Sequence, residues 1–325
     1  MRPFLARTVI TLSTALLAGN AFGADAQLLN LVMPDAKVMA GMNIVNSEIS
    51  PLGTFILARA SGSEGLQQLI SQTGFDPRKD VTEVLAASNG NTATPTGLVL
   101  AKGTFDVAKI TAAIGTGAAQ TVSTYAGATL ITSTAATDNH AVAFLNGTVA
   151  LAGDTASVKA ALDRKDAVNS IDPALATQVQ KLSSTQDAWT VSLASLGSLI
   201  PTAAASSATD GMGGMVAGLA KNILSSSAGI KFGTTVLFTA QAVADNAQDA
   251  SSLADVVKMV GSLVTMSAAN NKEMAGVAQL AQSLQVSAAG ATVNISASIP
   301  EAQVETLLSS ATTAVKPNAI KQKKM

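Results

Sequence analysis

Apolar and polar residues alternate in short runs along much of the chain, and stretches with apolar residues at helical spacing separate those runs. A half-buried strand repeats every two residues and an amphipathic helix every 3.6, so the two patterns can be read apart. Gln27 to Met33 predicts a short helix ahead of Pro34, and Ala36 to Asn46 a strand. Pro51 suits the first turn of a helix over Leu52 to Arg59, where its missing N–H costs nothing. Gly62 and Gly65 interrupt that pattern, and Leu66 to Gln72 resumes it. In GFDPRKDVTEVLAAS, Asp76-Pro77 opens a turn, and Asp80 is expected to cap a short helix carrying Val81, Val84 and Leu85.

Asn89 to Pro95 is a polar loop, Gly97 to Phe105 a strand, and Asp106 the cap of a helix through Ile110 and Ile114. Antiparallel strands are expected at Ala128 to Ser133, His140 to Leu145 and Thr148 to Ala152. Asn146-Gly147 between two apolar runs is a two-residue hairpin turn, because both residues tolerate positive φ. Asp154 then caps a helix reaching Leu162.

The second half repeats the order. Ala188 to Leu193 is a strand, Pro201 to Gly214 a loose stretch of small residues, and Met215 to Leu224 a helix. Gly229 to Ala244 is a long strand or hairpin arm, and Ala250 to Met266 an amphipathic helix with Leu253, Val256, Val257, Val260 and Val264 as its stripe. Leu284 to Ala288 and Ala291 to Ser298 form a hairpin around Ala289-Gly290, and Pro300 to Leu308 closes as a helix. In Gly97 to Leu162 and again in Gly229 to Leu308, a strand feeds a helix, a hairpin returns, and a last helix follows. That order predicts an α+β fold of two related halves, each an antiparallel sheet with helices packed on one face. The expected divisions are 1–23, 24–180, 181–312 and a basic tail over 313–325.

Composition narrows the chemistry. Hydrophobic residues make up 48% of the 325 positions, enough for a core, but aromatic residues only 3%. Ala, Val, Leu and Gly carry the interior, so a site built on stacked rings is not expected. The chain has no cysteine, which removes disulfides, thiolate chemistry and cysteine-ligated metals. Arg2 and Arg7 precede the apolar run TVITLSTALLA, and Ala21 and Gly23 stand at the −3 and −1 positions of a cut before Ala24. This is the layout of a secretory leader, with a run too short to span a bilayer, so residues 1–23 read as a signal peptide and the location as periplasm or secreted. Taking Arg2 and Arg7 from the 20 basic residues leaves 18 against 21 acidic ones. Four of those 18, Lys316, Lys321, Lys323 and Lys324, crowd the end of the chain. An acidic body excludes nucleic acid as an electrostatic partner. No later window is apolar for long enough to span a membrane.

Candidate catalytic groups are few. His140, the single histidine, follows Asp138 and Asn139; there is no GxSxG elbow and no HExxH spacing for zinc. Asp76 and Asp80 lie in the densest charged cluster, with Arg78, Lys79 and Glu83. Paired carboxylates suit acid–base work, and the intervening cations suit local neutralisation and capping equally. DGMGGMVAGLAK lacks the Lys-Ser/Thr of a phosphate loop, and Met212 and Met215 there are candidates for a mobile apolar ligand lip. No cofactor is expected.

In GFDPRKDVTEVLAAS and NISASIPEAQVETLL, the chain resembles a set of uncharacterised exported bacterial proteins with a leader, a Gly-Asp-Pro turn and a closing strand–proline–helix unit. The resemblance implies a bacterial envelope location and no mechanism. Three readings follow. The first is a non-catalytic binding or structural protein of the envelope, with an envelope protein as partner. The second is a carrier of an apolar small molecule in a cleft between the halves, lined by Ala, Val, Leu and Met. The third is a hydrolase using Asp76 and Asp80, which requires a further acid to converge on them. The scarcity of histidine and the lack of cysteine point away from an enzyme.

Overall fold

A computed structural model describes residues 23–48, 50–54, 64–114, 119–135, 137–168, 170–199, 218, 220–268 and 275–304. Helix α1 (Ala26–Leu31) starts at Asp25, whose carboxylate accepts from the main-chain N–H groups of Gln27 and Leu28 at 2.8 and 3.2 Å. It leads into β1 (Val38–Asn43), α2 (Ile44–Glu48), α3 (Glu64–Thr73), the single turn α4 (Pro77–Asp80), β2 (Val81–Ser88) and β3 (Gly97–Gly103). Next come α5 (Val107–Ile114), β4 (Gln120–Tyr125), β5 (Ala128–Ser133), β6 (His140–Leu145), β7 (Val149–Asp154) and α6 (Thr155–Asp163). The second half runs α7 (Pro173–Ser183), β8 (Ala188–Ser192), α8 (Leu196–Leu199), β9 (Ile223–Lys231), β10 (Thr235–Ala244), α9 (Ala247–Ala268), α10 (Ala275–Ser283), β11 (Gln285–Ala289) and β12 (Thr292–Pro300).

The described strands form one antiparallel sheet in the order β11-β12-β10-β9-β8-β1-β2-β3-β7-β6-β5-β4. The two expected sheets are the halves of this one, joined where β1 pairs with β8. Ala40 lies opposite Thr190 at that join. Because the two strands are antiparallel, half a turn about an axis there carries Met39 onto the place of Trp189. It also carries the element order across. Helix α1 enters β1 as α7 enters β8, and α2 leaves β1 as α8 leaves β8. The pairs β2–β3 and β9–β10 correspond, as do α5 and α9, and β6–β7 and β11–β12. The first half adds β4 and β5 at its outer edge. The fold is thus a duplicated α+β structure.

Side chains alternate along each strand, and each face has its own core. Met39, Leu85, Leu100, Leu151 and Leu130 on one face pack under Leu28 and Leu31 of α1, Val158 and Leu162 of α6, and Leu175 and Val179 of α7. On the opposite face of the same strands, Val84, Ile131 and Phe144 cluster with Ile110 of α5 and with Phe75 and Phe105. Helices α9 and α10 cover that same face in the second half, through Ala250, Ala254 and Leu253 of α9 and Leu280 of α10. At the join, a methyl group on Gly41 of β1 would overlap the Trp189 ring, so only glycine fits beneath it.

Several expectations change. Val81, Val84 and Leu85 belong to strand β2, not to a helix capped by Asp80. Asp76 caps the one-turn α4 instead, with Pro77 at its first position. The following VTEVLAAS is strand-forming and sits between β1 and β3, where pairing on both sides decides its conformation. Gly229 to Ala244 is two strands turned at 232–234, and Ile223 and Leu224 begin β9 rather than end a helix. Pro300 ends β12, paired with Thr235, and 301–304 are helical after it. The expected division between 180 and 181 lies within α7.

Candidate functional site

The Asp76 cluster is a folded turn. The Asp76 carboxylate accepts from the main-chain N–H of Arg78 at 3.1 Å and from its guanidinium through Nε at 2.9 Å and Nη2 at 2.7 Å. The Asp76 N–H in turn donates to Asp80 Oδ2 at 2.7 Å. Arg78 holds the Asp76 carboxyl below the ordinary carboxylate range, a carboxylate kept ionised and fully partnered. A general acid needs the opposite shift. Among the described residues no group of three or more His, Asp or Glu side chains is placed to hold a metal. Met212 and Met215 lie outside the described residues.

His140 is placed differently. Ser133 and Ile131 of β5 and His140, Val142 and Phe144 of β6 alternate onto one sheet face. Helix α5 crosses above them with Ile110, and Phe75 closes one side. Together they line an open pocket of about 280 Å³ whose surface is almost wholly apolar. Phe75, Phe105 and Phe144 stack side by side at this end of the core, with ring centroids 5.5 Å apart for each successive pair. Of its polar residues, Ser133, Asp138 and His140 are bonded together. His140 Nδ1 lies 2.6 Å from Asp138 Oδ1, and the His140 N–H reaches the same oxygen at 3.1 Å. Hydrogen bonds from His140 and Ser133 hold the Asp138 carboxyl below its usual range. An ionised carboxylate accepts, so Nδ1 turns an N–H towards Asp138, and in the neutral imidazole Nε2 is then the acceptor. This is not a serine-protease arrangement: both Ser133 and His140 bond the carboxylate, whereas catalysis requires the imidazole between the other two.

The other hollows differ in chemistry. One of about 450 Å³ lies at the join of the halves and is lined by Asn46, Asp187, Lys231 and Glu301. Its Asp187 side chain is buried and bonded to Lys231 Nζ at 2.7 Å, Asn46 Nδ2 at 3.1 Å and the Phe232 N–H at 2.7 Å. A larger one, about 530 Å³, spreads over β9, β10, β11 and β12 beside α7, lined by Gln186, Thr239, Gln241, Asn294 and Ser296. Both are polar. Among the described residues, the pocket beside His140 lies within the first half, and the hollow at the join carries Asp187, Lys231 and Glu301.

The duplicated sheet with helices on both faces is a fold shared by solved structures. Crystal form III of TP0453 aligns with a TM-score of 0.52 at 10% identity, covering 87% of this chain and 97% of that one. Crystal form I aligns at 0.50 and 11% identity, covering 88% and 98%. The likeness is one of fold. No protein-family model matches the sequence, and neither does any curated protein. Among the described residues no helix is long and apolar enough to cross a membrane.

Proposed function

We propose that the protein is an exported, non-catalytic binding protein of the bacterial envelope that carries a small apolar ligand bearing one hydroxyl group. The observation behind this reading is the largely apolar pocket between α5 and β5–β6, which carries the bonded His140–Asp138 pair among its few polar groups. Small-ligand sites combine an apolar body with a few placed polar groups. Nε2 of His140 accepts a hydrogen bond from the ligand, and the adjacent Asp138 charge disfavours an anionic head group. The leader read in residues 1–23 supports periplasmic or secreted location.

Native mass spectrometry of protein purified from envelope or medium, followed by calorimetry with 1-octanol and octanoate, tests the reading. An adduct, and tighter binding of the alcohol than of the acid, is expected. Val142→Trp fills the cavity from the sheet side and should weaken octanol binding at least tenfold while the circular dichroism spectrum holds. Equal binding of octanol by the variant, or none by the native protein, would overturn the reading.

A further inference from the structure

We propose that Glu83 is the receptor for the amino terminus of the processed chain, its carboxylate pairing with the α-ammonium group of Ala24. The inference rests on the exported reading above. Glu83 stands near the start of β2 on the face covered by α1, opposite Asn43 of β1 and Lys102 of β3. Its side chain is half-buried there. Both carboxylate oxygens accept from one main-chain N–H, that of Asp25, at 3.2 and 3.1 Å. The cation beside it in register, Lys102, is engaged elsewhere: its Nζ donates to Gln27 Oε1 at 2.6 Å and lies 3.5 Å from Asp25 Oδ2. Two carboxylates thus share one lysine, and a second positive charge would balance the cluster.

The chain supplies that charge next door. Hydrolysis of the Gly23–Ala24 amide by a leader peptidase adds water, leaving a carboxylate on the leader and an ammonium on Ala24. Gly23 is exposed, whereas the Ala24 methyl packs against the main core. The new terminus is therefore anchored at the residue that carries the charge. Successive Cα atoms are about 3.8 Å apart, so the Ala24 nitrogen lies one residue from the Asp25 N–H that already touches Glu83. Nitrogens of adjacent residues are about 3 Å apart, which is the spacing at which two donors serve one carboxylate. The charged or titratable groups facing this point are Asp25 from the start of α1 and Lys102 from β3, with Asn43 and Gln27 as neutral neighbours. Burial pushes the Glu83 carboxyl up to about 7, as expected of a carboxylate still short of a partner.

The test is a cycle of four chains, each compared by thermal unfolding at pH 7: mature protein beginning at Ala24, the same chain with Gly-Ser-Gly added ahead of Ala24, and Glu83→Gln in both. The addition moves the ammonium away and leaves every side chain in place. In the Glu83 background it should lower Tm by about 2 to 4 °C, and in the Glu83→Gln background by much less. An equal effect in both backgrounds, or none in either, overturns the proposal. The amino-terminal mass of protein isolated from the envelope separates the two levels of inference. An uncleaved leader sinks the exported reading and this proposal with it. A cut elsewhere than before Ala24 sinks this proposal and leaves the exported reading standing.

Discussion

Glu83 shows how one side chain ties stability to pH. In a chain whose amino terminus is held away from Ala24, burial raises its carboxyl from the usual 4.5 to about 7. The folded protein then binds the proton more tightly than the unfolded one. Stability from this group is complete below pH 4.5 and is lost as pH rises through 7. After allowance for partial exposure the change is on the order of 2 kcal/mol. Denaturant unfolding at pH 4.5 and 7 should show that fall, and Glu83→Gln should remove it. The sequence places Glu83 in a charged cluster and there its legibility stops: that its carboxyl is half-buried beside α1 depends on β2 lying between β1 and β3. Asp76 and Asp80 stand out equally in the sequence, yet Arg78 closes on Asp76 and leaves it a cap. His140 was visible as the single histidine. Its cavity was not, because Phe75, Ile110 and Ile131 come from three distant segments.

At the scale of elements, the helices with a cap and a stripe and the hairpins with a glycine turn were legible. Asn146 and Gly147 both adopt positive φ, as their turn requires. Segments whose state is decided by neighbours were harder. Residues 81–88 read as a helix when a cap is assigned to Asp80 and as a strand once β1 and β3 flank them. Strand β4 (QTVSTY) is exposed along most of its length and has no apolar face to announce it. Helix α7 carried a clear start, Asp172 then Pro173, in a stretch of weak periodicity. Asp172 accepts from the Ala174 N–H at 2.9 Å and from Lys37 Nζ at 3.2 Å. Asp172→Ala should therefore destabilise the protein mainly through the lost cap, since the Lys37 pair is largely exposed. These bonds depress the Asp172 carboxyl, so its contribution is present above the unfolded-state pKa and lost as pH falls through the folded one. Chemical denaturation of Asp172→Ala at pH 7 and at pH 3 should give a difference from native protein that shrinks at the lower pH. Asp172→Asn, which keeps a capping oxygen, should recover most of the loss at pH 7.

For the whole molecule, the question is whether duplication produced two folding units or one. The sheet favours one. Strands β1 and β8 are each an interior strand only because the other is there, and α7 packs on the same core as α1 and α6. Separating the halves would expose two open edges and divide the core around Met39, Val191 and Trp189. Gly41 and Trp189 sit on opposite sides of that join, with the indole lying across the glycine backbone. Gly41→Ala forces the ring aside and should cost about 1 to 3 kcal/mol. If the halves fold as one unit, calorimetry of this variant shows a single transition shifted to lower temperature, and Trp189 fluorescence follows it at every temperature. If they fold separately, the variant unfolds in two steps, with tryptophan reporting only one. Because the strain falls on the one strand pair that both halves need, a single transition is the expected result.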